Sequence, residues 1–411
     1  MARPLDGIKV LEVAQWWFVP AAGAVLGDWG ADVIKIEHPV HGDAQRGLAA
    51  AGFNMSIGGV DFMMQQSNRG KRSVGLDIGV PGGRALLLRL AAESDVFLTN
   101  FLPSARTKLG IDVDDIRAVN PRIVYVRGSG QGPEGPDRDK GGYDATAFWS
   151  RGGVANALTP PGAAVPTMQR AAFGDGIGAM TIAGGVAAAL LQRERTGVAP
   201  VVDVSLLATA MWVMSPDIVA SKLLAQGGTG GIPSFTRNAV PNPLANSYKT
   251  ADGRWLLLMM LQPDRYWAGF CAAIDRPDLA ADARYATGVT RFQNREVLIA
   301  DLDAWFARQP LAHWRERLDR QEGPWAAMQT ALELHDDPQA IANGYVQPVE
   351  GGDKGRFALV ASPVSFDRAQ PALAASPEMG QNTEEVLLER GLSWDELGAL
   401  KRVGVVCAGG A

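Results

Sequence analysis

Short β-rich runs alternate with helical patterns along the first 130 residues, and no other feature narrows the fold so far. IKVLEV (8–13), DVIKIE (32–37), SVGLDI (73–78), DVFLTN (95–100) and IVYVRGSG (123–130) read as buried strands. The Ala/Gly-rich segment 20–30, GGRALLLRLAAES (82–94) and DVDDIRAVN (112–120) read as helices between them. Strands in such alternation predict an α/β fold: a Rossmann-like parallel sheet covered on both faces. VVDVSLL (201–207) follows, and then an apolar helix to about residue 224. GGTGGIPS (227–234) is a break suited to a domain boundary. Beyond it, NSYKTADGRWLLLMML (246–261) predicts two strands around Asp252-Gly253. Helices follow to about 330, strand and turn return over 348–366, and TEEVLLERGLSWDELGAL (383–400) reads as one closing helix. The expected division is a large α/β domain over 1–224, a smaller α+β domain over 225–334, and a C-terminal segment over 335–411.

Bulk chemistry excludes several classes of function. Lys and Arg number 39 against 44 Asp and Glu, a net charge of −5, so nothing favours nucleic acid or an anionic membrane. Cys271 and Cys407 are too few for a disulfide framework and suit a reducing compartment; Cys271 reads as a buried apolar residue and Cys407 as incidental. The histidines 38, 41, 313 and 335 have no metal-ligand spacing, so no metal is expected. MARPLDGIKVLEV lacks the apolar core of a signal peptide, and the apolar stretch 180–191 is too short to span a bilayer. A cytoplasmic protein is expected. The first strand runs into VAQWWFVPAAG without a G-x-G-x-x-G, which argues against the usual dinucleotide site.

The chemistry centres on QRAAFGDGIGAMTIAGGVAAALLQRERTG, where Asp175 lies among Gly174, Gly176 and Gly178 at the apparent start of a long helix. Glycines admit a ligand close to the backbone, and a helix start offers free N–H groups and partial positive charge. That equipment suits a carboxylate nucleophile; the plainer role for Asp175 is an N-cap. Ligands in open α/β sheets sit beyond the carboxyl ends of the strands. This rule gathers Trp16, Trp17, His38, Asn100 and a glycine loop over 128–142, read as mobile, around one crevice. Arg69, Lys71, Arg72, Arg106 and Lys108 near strand ends could hold phosphates.

An ordered series of segments resembles the class III CoA-transferases, the family of formyl-CoA and carnitine CoA-transferases. It runs through PLDGIKVLEV, GDWGADVIKIEHPVHGDAQR, NRGKRSVGLDI, DVFLTNFLPSARTKLGI, NPRIVYVRGSGQGPEGP, GGYDATAF, GDGIGA, ALLQRERTGVAPVVDVSLL, NSYKTADGRW and MGQNTEEVLLERGL. The resemblance implies that Asp175 is the nucleophile, with Asp144 as its acidic neighbour. It implies CoA or acyl-CoA as substrate, with no tightly bound cofactor, and a carboxylic acid as acceptor. CoA contacts carry over onto Lys71, Arg72, Asn100 and Lys108, with Trp17, His38, Arg106 and Tyr143 lining the same crevice. An interlocked, ring-like homodimer is implied as well. The chain departs from the pattern at Trp16-Trp17-Phe18, where many members have small residues, and at His38, where some carry arginine. The family also contains α-methylacyl-CoA racemases, which place histidine in a GHD motif. Here Gly142-Tyr143-Asp144 stands instead, and neutral tyrosine is a poor base near pH 7, so transfer is favoured over racemisation. A CoA-binding protein without catalysis is the remaining alternative, against which the intact GDGIG segment stands.

Overall fold

The computed structural model describes residues 3–48, 56–228, 232 and 235–407. It divides into two compact units, one of Met1–Thr159, Pro166–Lys222 and Pro338–Ala411, the other of Pro160–Val165 and Leu223–Asp337. Of the break at 227–234, residues 229–231, 233 and 234 lie outside the described residues.

The first unit is built on a six-stranded sheet. Its strands are β1 (Lys9–Val13), β2 (Asp32–Glu37), β3 (Arg72–Gly75), β4 (Val96–Thr99), β5 (Val124–Ser129) and β6 (Val201–Ser205). All neighbours pair parallel, in the order β3-β2-β1-β4-β5-β6. The order reverses between β1 and β4, whose registers run from Val10↔Val96 to Val13↔Thr99. A crevice is expected beyond the carboxyl ends of these two strands. Near-continuous burial along β1, β2 and β4 fits a sheet covered on both faces.

One face is covered by helices α1 (Phe18–Asp28) and α2 (Phe173–Thr196), which share a core of Val19, Ala22, Leu26, Ile182, Ala183 and Val186. The other is covered by the helices Pro81–Ala92 and Val113–Val119 together with the C-terminal segment, whose Val386, Leu387 and Leu397 pack with Leu86, Leu87 and Ile116. The closing stretch is two helices, not one. Thr383–Glu389 and Trp394–Arg402 are parted by Gly391 at φ 83, and Ser393 starts the second with a capping box to Glu396. Cys407 is not incidental. Its N–H donates to the Gly75 carbonyl, and a Cβ at Gly75 would meet its Sγ at 2.1 Å.

Helix α2 has 24 residues, twice the length of the apolar stretch 180–191, and by length and composition it is long and apolar enough to cross a membrane. Its buried stripe of Gly178, Ala179, Ile182, Ala183, Val186, Ala189 and Leu190 makes it a core helix of this unit.

In the second unit an antiparallel sheet of Ala245–Lys249, Trp255–Met259 and Trp325–Ala327 packs on helices that include Pro263–Ala273, Arg295–Phe306 and Leu311–Leu318. The first two strands form the hairpin read from sequence, turning at Gly253 with φ 77. Cys271 is fully buried in this core, which pushes its thiol up to about 12.

Candidate active site

The turn from β1 into α1 crosses the carboxyl edge of the sheet where the strand order reverses. Buried charges hold it from beneath. Lys35 Nζ lies 3.0 Å from Glu12, 2.8 Å from Asp43 and 2.9 Å from the Ala14 carbonyl oxygen. Lys71 Nζ lies 2.7 Å from Glu12, 2.7 Å from the Pro20 carbonyl oxygen and 2.9 Å from Asn68 Oδ1. Asp43 in turn accepts the Trp16 N–H at 2.9 Å. Two cations thus face two carboxylates, and their spare hydrogen bonds fix the backbone at residues 14, 16 and 20. Burial alone would lower Lys35, but Asp43, Glu12 and Glu37 outweigh it and raise its pKa. At Lys71 burial prevails over Glu12 and pulls the ammonium down to about 8. From the neighbouring strand, Asn100 clasps the same turn. Its Oδ1 accepts the Gln15 N–H at 3.0 Å, and its Nδ2 donates to the Gln15 carbonyl at 2.6 Å.

Asp175 lies in the first turn of α2, but it is not the cap. The cap position is Ala172, in the left-handed region at φ 61. Asp144 takes over the capping work from outside the helix: both its oxygens accept the Gly174 N–H at 3.1 Å. Asp144 opens a π-helical segment, Asp144–Arg151, a form found often at functional sites. The Gly176 N–H bonds the Ala172 carbonyl. The helix start therefore does not present the row of free amides expected from sequence. What it presents is the Asp175 carboxyl, half-buried, with no hydrogen bond or ion pair among the described residues. Burial first, and the Asp144 charge second, push it up to about 7. Asp144 is also raised by burial, against the pull of the Gly174 N–H.

Two of the three glycines around Asp175 make room for rings. A Cβ at Gly174 would meet the Phe148 ring at 2.2 Å, and one at Gly178 the Phe18 ring at 2.4 Å. Gly176 is looser, with the Trp17 ring at 3.7 Å. Trp16, at φ 69, sets its ring edge-on to Tyr143 with centroids 5.5 Å apart. The turn, Asn100, Tyr143, Asp144 and Asp175 are therefore brought together. His38 lies at the same edge, its Nδ1 accepting the N–H groups of Val40 and His41.

The basic residues fare differently. Lys71 is enclosed by the network above, so its charge is spent on Glu12. Arg72 starts β3 at the amino end of the sheet and pairs with Asp32, Glu385 and Glu389. Arg106 is buried, bonding Asp112 and the Phe101 carbonyl, and Arg69 pairs with Asp28. Lys108 is exposed and makes no ion pair among the described residues. Within the loop over 128–142, Gln131 and Asp137 accept hydrogen bonds from Arg151 at 2.7 Å each. A sequence reading misses Glu12, Lys35 and Asp43. The first two carried a signal, since a charge inside an apolar strand needs a buried partner.

Comparison with known proteins now decides the family. The profile of CoA-transferase family III matches residues 5–383. The chain belongs to CoA-transferase family III. It is 31% identical over 405 residues to the (R)-2-hydroxy-4-methylpentanoate CoA-transferase of Clostridioides difficile, covering 98% of this chain and 99% of that protein. It is 32% identical to the cinnamoyl-CoA:phenyllactate CoA-transferase of Clostridium sporogenes, covering 97% and 96% respectively. Among solved structures, a CAIB/BAIF family protein from Brucella suis superposes with a TM-score of 0.81 at 27% identity, covering 95% of this chain and all of that one. As a family III CoA-transferase, the protein takes CoA thioesters as substrates.

Proposed function

We propose that this CoA-transferase moves CoA from an acyl-CoA donor to a carboxylic acid through a thioester on Asp175. The observation that carries the reading is the Asp175 carboxyl: half-buried, free of partners among the described residues, and raised to about 7. A carboxylate stripped of hydrogen bonds is a stronger nucleophile than a solvated one, and near neutral pH a large fraction of it is ionised. In the first step an Asp175 oxygen attacks the thioester carbonyl, forms a mixed anhydride and expels CoA thiolate. The thiolate then attacks the Asp175 carbonyl carbon, releasing the donor acid and leaving aspartyl-CoA. The acceptor acid attacks this thioester, breaks its C–S bond to expel CoA thiolate, and forms a second anhydride with Asp175. Returning thiolate takes the new acyl group and frees Asp175. Every bond broken is replaced by one of similar energy, so no outside energy source is required.

Asp144 holds the helix start and, by its charge, keeps Asp175 basic. Asn100 fixes the turn at Gln15. Lys108 is the unpaired cation among the named residues, left to meet a CoA phosphate. An interlocked homodimer working in the cytoplasm belongs to the same reading, and sedimentation that finds a monomer would count against that part. The relatives' acids range from a branched hydroxy acid to phenyllactate. The test is a panel of acyl-CoA donors and acid acceptors followed by chromatography of the new acyl-CoA. Asp175→Ala should abolish transfer while CoA still binds; unchanged transfer removes the assignment.

A further inference from the structure

The aromatic run after β1 is divided among different tasks. Phe18 belongs to the core, its ring filling the space above Gly178. Trp17 is half-buried, with the edge of its ring against Gly176, next in sequence to Asp175. Trp16 is held in a left-handed conformation by the bond from its N–H to Asp43, and its ring meets Tyr143 edge-on. Tyr143 is 60% exposed and directly precedes Asp144. An indole ring thus lies against the residue after Asp175, and a phenol ring belongs to the residue before Asp144.

Two carboxylates and two matched ammonium groups lie nearest these rings. Asp144 and Asp175 are carboxylates, while Lys35 and Lys71 beneath the turn are enclosed and matched by Glu12 and Asp43. A substrate with a second carboxylate held against these rings would meet the like charge of Asp144 and Asp175. A flat apolar group would meet ring faces and edges that attract it.

Resting on the reading of this site as that of an acyl transferase, we propose that Trp17 and the Trp16–Tyr143 pair wall the acyl side and select aryl-bearing acyl groups over short dicarboxylic ones. The test uses thioether analogues of CoA, which bind but cannot transfer. Phenylpropyl-, isohexyl- and carboxypropyl-CoA are titrated into the full-length protein by calorimetry. The phenylpropyl analogue should bind about tenfold more tightly than the carboxypropyl one. Tyr143→Ala, at an exposed position, should shrink that ratio by about threefold or more. Trp17→Ala should shrink it in the same way. An aryl analogue no tighter than the carboxypropyl one overturns the proposal, as does a ratio that neither variant changes. An isohexyl analogue that equals the aryl one overturns the preference for a flat ring. Thioethers form no adduct, so these ratios stand or fall apart from the covalent role of Asp175. Loss of that role would show instead as transfer surviving in Asp175→Ala.

Discussion

Replacing Asp175 by Asn should make the protein more stable as well as inactive, and only on one side of a pH window. The carboxyl is raised to about 7 from an unperturbed 3.8, chiefly by burial. Between those values the folded state holds a proton that the unfolded chain releases. Wild-type stability therefore falls as pH rises through the window, and the loss is complete above about 7. Asn carries no proton to lose. Each pH unit inside the window is about 1.4 kcal/mol. From about pH 5 to about pH 8 the variant should gain on the wild type by at most about 3 kcal/mol. Partial solvent access to Asp175 should bring this to about 1–2 kcal/mol. The assay is urea unfolding of both proteins at both pH values, followed by indole fluorescence. All other titrating groups are common to the pair, so the difference reports residue 175 together with its coupling to Asp144. A gap that stays constant with pH, or narrows as pH rises, would refute the account of a carboxyl held at a cost.

Other residues give equally direct tests. Lys71→Met leaves Glu12 under-compensated and should destabilise the fold by about 3–5 kcal/mol, whereas Lys108→Met should leave stability alone and weaken CoA binding; calorimetry and urea unfolding on both variants check the contrast. Gly178→Ala drives a Cβ to 2.4 Å from the Phe18 ring and should cost about 1–3 kcal/mol of stability, measured as a loss of Tm. Gly176→Ala, with 3.7 Å to Trp17, should fold at least as well as wild type while slowing transfer. Asp144→Asn removes the charge that helps to raise Asp175, so the acid limb of the pH–rate profile should move below about 7; a limb that stays in place would separate the two carboxylates.

The sheet was legible because its strands are short apolar runs between helical repeats, and β1, β2, β4 and β5 lie where that pattern puts them. Asp175 stood out through its glycines, of which Gly176 has only the Trp17 ring near it. Gly174 and Gly178 admit Phe148 and Phe18 from distant parts of the chain, which no local pattern can show. The basic residues divide in a way that local sequence does not show. Lys71 and Arg72 look alike in sequence, yet one is enclosed beneath the turn and the other meets Asp32 and Glu389 at the far edge of the sheet. Whether a cation is free depends on acids that only folding brings near. Asp144 as a cap for another segment's helix was hidden for the same cause, since a capping signal is read only from residues adjacent to the helix.

The central claim is that Asp175 carries CoA between donor and acceptor. Intact-mass and peptide mass spectrometry after brief incubation with a competent acyl-CoA, and no acceptor, tests it most directly. The account predicts a mass increase of one CoA less water on the peptide containing Asp175, lost on adding an acceptor acid and absent in Asp175→Asn. Transfer that proceeds with that peptide unmodified at every time point would contradict it.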